Sequence, residues 1–123
     1  MRIGEVATEA AVTVDTVRFY ERVGVLPPPA RTESGYRDYA PDTVERIKLT
    51  RELQAIGFRL TDAVDALAAH DAGGATCESE QWRLDVVLDR VDAKLAELNA
   101  LRGRIVHAKQ ACTSGHCLFS TAA

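Results

Sequence analysis

Thr13-Val14-Asp15-Thr16-Val17-Arg18-Phe19-Tyr20-Glu21-Arg22-Val23-Gly24 is the stretch that decides the fold. Thr13 carries a hydroxyl suited to capping the first free amides of a helix. Val14 and Val17 then fall on one helical face, with Val23 joining them, and Gly24 provides the stop. Upstream, Ile3, Val6, Ala7 and Ala10 repeat at helical spacing and predict a first helix from about Arg2 to Ala10. Ala11-Val12 leaves only a tight link between the two. Two short helices joined by so few residues form a helix-turn-helix.

Downstream, Pro27-Pro28-Pro29 excludes helix. Ala30 to Tyr39 is turn-rich around Glu33-Ser34-Gly35 and reads as a small hairpin or wing. Pro41 and Asp42 restart a helix that runs to about Ile56, where Gly57 ends it. Thr61 is placed to cap a fourth helix, roughly Asp62 to Ala69. After the break at Asp71-Ala72-Gly73-Gly74 comes the longest periodic segment, about Glu78 to Ala111. Leu84, Leu88, Val91, Leu95, Leu98 and Ile105 form a heptad seam, with Arg102 in one apolar place. A helix of about 33 residues spans about 50 Å, too long a stripe for so small a globule to bury. Pairing with a second copy is the economical solution. The seam alone allows either a parallel or an antiparallel pair. The expected organisation is residues 1–70, a winged helix-turn-helix; 71–111, a linker and dimerisation helix; and 112–123, a loop and tail.

Composition fits a water-soluble fold, with 46% hydrophobic and 27% charged residues. No apolar run approaches the ~20 residues that cross a bilayer, so no membrane partner is expected. The polar start from Met1 to Glu5 is unlike a signal peptide, and a cytoplasmic protein is expected. The net charge of −3 is unhelpful to nucleic-acid binding, but its distribution matters more. The acidic excess lies beyond residue 60, whereas Arg18, Arg22, Arg31 and Arg37 cluster near the start. Arg18 and Arg22 share one helix face, and Tyr36 accompanies the wing arginines. Arginine presents a planar fork to phosphate or guanine. No Ser-His-Asp set, phosphate loop or carboxylate pair stands out, so the chain is not expected to be an enzyme.

The three cysteines are Cys77, Cys112 and Cys117. An odd number in a reducing compartment points to free thiols, metal ligands or a redox switch rather than a disulfide framework. Cys112 and Cys117 flank a short polar loop and can clasp one ion, with His116 as a candidate fourth ligand. Three thiolates are a soft donor set suited to Hg(II), Cd(II), Pb(II), Zn(II) or Cu(I). A reversible Cys112–Cys117 disulfide, making a thiol redox-responsive regulator, is the alternative.

Three stretches resemble the mercury-resistance-regulator (MerR) family. Thr16 to Leu26 resembles its second helix and exit, Arg31 to Tyr39 its wing, and Leu53 to Leu60 the join between its third and fourth helices. The likeness covers about residues 1–70, and a long helix follows as the family requires. The resemblance implies a mainly α protein: a winged helix-turn-helix followed by an antiparallel coiled-coil dimer. It implies DNA contacts from Arg18, Tyr20, Arg31, Tyr36 and Arg37. Antiparallel pairing would bring Cys77 of one subunit to Cys112 and Cys117 of the other. It further implies double-stranded promoter DNA and RNA polymerase as partners. A heavy-metal effector would distort the promoter and so activate resistance genes. Family members that sense divalent ions resemble this chain in having cysteine at the place of Cys77, whereas monovalent sensors tend to have serine. The Cys112–Cys117 loop is shorter than the mercury pattern. Hg(II) is placed first, with Cd(II), Pb(II) and Zn(II) open.

Overall fold

The computed structural model describes residues 1–116. Cys117 lies outside the described residues. The chain divides into two compact units with the boundary between Gln81 and Trp82.

In the first unit, α1 (Ile3–Ala10) buries Val6, Ala7 and Ala10 and ends at Ala11, which is left-handed at φ 56°. The link then turns at once into α2 (Val14–Val23). Thr13 caps it as its residue type predicts: Thr13 Oγ1 accepts from the Thr16 amide at 3.1 Å. Gly24, at φ 92°, closes α2, a conformation that costs glycine little. Val23 is exposed rather than turned inward.

A two-stranded antiparallel hairpin follows, β1 (Ala30–Arg31) and β2 (Arg37–Asp38), with Arg31 opposite Arg37. Its turn is closed by Thr32, whose amide donates to the Tyr36 carbonyl at 2.8 Å and whose hydroxyl accepts from the Tyr36 amide at 3.1 Å. The Tyr39 amide donates to the Met1 carbonyl at 2.8 Å, which brings the chain start beside the wing.

α3 (Thr43–Ala55) and α4 (Leu60–Asp71) complete the unit. The latter begins a little earlier than Thr61 would set it, because the Asp62 carboxylate accepts from the Arg59 amide at 2.9 Å. Val6, Val17, Tyr20, Val25, Leu26, Val44, Ile47 and Leu67 make one continuous core. Burying each large apolar side chain contributes roughly 1.5–3 kcal/mol. Thr50, fully buried, donates its hydroxyl to the Arg46 carbonyl at 2.8 Å, so the core holds no orphaned hydroxyl there.

α5 (Cys77–Thr113) is a single helix of 37 residues. Thr76 and Ser79 cap it reciprocally: each side-chain oxygen accepts from the other's amide, at 3.0 and 2.9 Å. Cys77 therefore stands in the first turn rather than before the helix. At the far end, the Gly115 amide donates to Cys112 and the His116 amide to Ala111, at 3.2 and 2.7 Å, with Gly115 left-handed at φ 88°. That pair of bonds is a Schellman closure. Leu84, Leu88, Val91, Leu95, Leu98 and Ile105 are all exposed, Leu98 by 61% and Ile105 by 59%.

Candidate nucleic-acid interface and metal centre

Four arginines meet on one face of the first unit. Arg2, Arg18, Arg31 and Arg37, with Ile3, Gly35 and Tyr36, line a shallow depression of about 340 Å³. α2 supplies Arg18 and the hairpin supplies Arg31 and Arg37, so the second helix and the wing contribute jointly. Arg31 is oriented by the Gly35 carbonyl, which accepts from its Nη1 at 2.9 Å, a neutral partner that leaves the charge uncancelled. Arg37 is held by Glu21 on α2, Nε to Oε2 at 3.3 Å. Arg18 lies 3.4 Å from Asp15 in an exposed pair of little strength. Tyr36 is 58% exposed, and the Arg2 guanidinium stacks on its ring at 4.6 Å from the centroid. A ring of guanidinium groups on a concave, water-facing surface is suited to a phosphate oxygen cluster.

Of the five residues expected to reach DNA, four stand at this face. Tyr20 does not. It lies one helical turn beyond Val17, so its ring turns into the core, 5% exposed, and its hydroxyl donates to Gln54 Oε1 at 3.2 Å. The structure places Tyr20 in the core, where its ring and hydroxyl fix α2 on α3, rather than on this face with the arginines. Conversely, Arg2 escaped sequence reasoning. Its only signal was charge, and it reaches the depression because Tyr39 ties down the neighbouring Met1.

The two described thiols, Cys77 and Cys112, are both exposed. They occupy the first and last turns of α5. A helix of that length spans about 55 Å, so its two ends cannot grip the same ion. His116 sits with Nδ1 3.1 Å from the Ser114 carbonyl. A carbonyl only accepts, so Nδ1 carries the proton in that contact and Nε2 of the neutral ring keeps a lone pair for a metal. Thiolate and imidazole donors fit a soft or borderline cation. Among the described residues no three such side chains converge, and the third thiol, Cys117, is not among them.

Capped helix-turn-helix, arginine-bearing wing and long trailing helix define a DNA-binding regulator of the winged helix-turn-helix class. The model of the MerR HTH family regulatory proteins matches residues 1–70, and that of the MerR DNA-binding region matches residues 44–108. The chain belongs to the MerR family of transcriptional regulators. It is 32% identical over 118 residues to the mercuric resistance operon regulatory protein of Bacillus cereus, covering 96% of this chain and 89% of that one. It is 33% identical over 112 residues to the regulator ZntR of Escherichia coli K12, covering 90% and 79%. The crystal structure of PbrR691 from Ralstonia metallidurans CH34 in complex with lead(II) matches with TM-score 0.80 and 32% identity, covering 90% of this chain and 87% of that one. Among the described residues no helix is long and apolar enough to cross a membrane.

Proposed function

We propose that the protein is a homodimeric, metal-responsive regulator that activates heavy-metal resistance genes when a thiophilic divalent ion binds. Each of two sites takes Cys112 and Cys117 from one subunit and Cys77 from its antiparallel partner. The observation that carries this reading is the placement of Cys77 and Cys112 in opposite end turns of one unbroken helix with an exposed apolar seam between them. Antiparallel pairing along that seam buries the apolar side chains and superposes the two kinds of end. The relatives support a metal effector: one governs mercuric resistance, and another is seen with lead(II). Hg(II) is the first candidate, ahead of Cd(II), Pb(II) and Zn(II), because it suits a thiolate set with no fourth ligand.

Arg18, Arg31, Tyr36, Arg37 and Arg2 hold the phosphates of double-stranded promoter DNA. Metal binding favours one of two dimer conformations, and the difference is expressed as bending and untwisting of the promoter, which lets RNA polymerase engage. The test is transcription from the protein's own promoter with Hg(II), Cd(II), Pb(II), Zn(II) and Cu(I), beside a Cys77→Ser variant. Activation by a divalent ion that is lost in Cys77→Ser supports the reading. Activation by an oxidant alone, unaffected by Cys77→Ser, would replace it with a Cys112–Cys117 redox switch.

A further inference from the structure

Arg46 lies on α3 and does not line the arginine depression, yet its guanidinium joins three parts of the first unit. Its side chain is only 13% exposed. Nε and Nη2 donate to the Val25 carbonyl at 3.1 and 2.9 Å. Nη1 and Nη2 donate to Oδ1 and Oδ2 of Asp71 at 2.7 and 3.1 Å. One planar fork thus grips a backbone carbonyl on one edge and a carboxylate on the other, which lysine cannot imitate.

The two partners stand at informative places. Val25 follows the cap of α2, and its amide bonds back to the Tyr20 carbonyl at 3.0 Å. Whatever moves Val25 therefore moves the exit of the recognition helix. Asp71 is the last residue of α4. Beyond it come Gly73 and Gly74, both left-handed at φ 83° and 77°, then the Thr76–Ser79 cap and Cys77. Positive φ at two successive residues costs glycine little, so the chain can turn here between α4 and the cap of α5. Only five residues separate Asp71 from Cys77 along the chain.

We infer that Arg46 is a positioning residue that carries the state of Cys77 to the recognition helix, through Asp71 on one edge of its guanidinium and the Val25 carbonyl on the other. The inference rests on the metal-sensing reading above and adds the route by which the signal reaches α2. Packing of Val25 and Leu26 already holds the α2 exit in the core.

The test uses the full-length protein on its operator, with Asp71→Asn and Arg46→Lys. Asp71→Asn keeps shape and removes the charge; Arg46→Lys keeps charge and removes the fork. Asp71 is half exposed, so the isosteric Asp71→Asn opens no cavity in the core. Metal-free operator affinity, Hg(II), Cd(II), Pb(II) and Zn(II) binding, and the ratio of transcription with and without each ion are measured. Both variants should keep operator affinity and metal binding within about threefold. Their activation ratio should fall by about tenfold, the size of a typical coupling between sites. An unchanged ratio in either variant overturns the inference, as does a loss of operator affinity that matches the loss of activation. A wild-type protein that binds none of Hg(II), Cd(II), Pb(II) and Zn(II) overturns the metal reading itself and the inference with it. The wild-type response therefore tells the two failures apart.

Discussion

Tyr39 donates its hydroxyl to Glu21 Oε2 at 2.9 Å and thereby fastens the base of the wing to the recognition helix. The same carboxylate holds Arg37. In the proposed DNA complex wing and helix keep a fixed spacing, and Glu21 sets it through Tyr39 and Arg37. Burial of Tyr39 and its bond to Glu21 push its phenol up to about 12.

That shift has a definite sign. The folded state favours the protonated phenol, so the contribution is fully present below the ordinary tyrosine value near 10 and is lost as pH rises toward 12. The loss is on the order of 3 kcal/mol. Urea unfolding across the alkaline range should show wild type losing stability faster than Tyr39→Phe. At neutral pH the variant should be less stable by about 1 kcal/mol. Parallel alkaline slopes would contradict the coupling.

Removing Arg31 or Arg2 tests the depression as a phosphate site. Each alanine variant should weaken operator and unrelated DNA alike and should lower the salt-dependence slope by about 1. Arg2→Ala also removes the stack on Tyr36. Fluorescence anisotropy at several salt concentrations reads both quantities. An Arg2 variant with the wild-type slope would remove that residue from the interface.

Ala11 holds a left-handed backbone without being glycine. That conformation costs an L-residue roughly 1–2 kcal/mol, partly offset by the lower unfolded-state entropy of alanine. Ala11→Gly should therefore raise stability by up to about 1 kcal/mol, seen as a higher thermal midpoint without change in operator affinity.

The helices of the first unit were legible because their boundaries are written in local chemistry. Thr13, Gly24 and Gly57 each act within a few residues of themselves. The seam was legible for a similar reason, since periodicity alone reveals a face. What escaped were features made by residues distant in sequence. Tyr20 looked outward beside Arg18 and Arg22, yet Gln54 on α3 receives its hydroxyl. Arg2 acquires a role only when the wing folds beside it. Periodicity starts α5 at Glu78, one residue late, since the Thr76–Ser79 cap that sets its first turn at Cys77 is announced by neither residue alone.

The seam makes its own prediction. Leu95 and Leu98 lie near the middle of α5 and are exposed in the single chain. Leu98→Glu would set a carboxylate in the centre of the paired interface, where an unpaired buried charge costs several kcal/mol. Sedimentation should give a dimer for wild type and a monomer for the variant, with operator binding lost and helix content retained.

The central claim is that each metal site is shared between two subunits, and mixed dimers test it most directly. Cys77→Ser and Cys112→Ser subunits, each inactive alone, are co-refolded and the mixed dimer isolated by differential tags. Antiparallel sharing leaves one intact site in that dimer, so tight binding of about one Hg(II) per dimer should return, with none in either parent variant. Failure of the mixed dimer to recover any tight site, while wild type binds about two, would contradict the shared-site account.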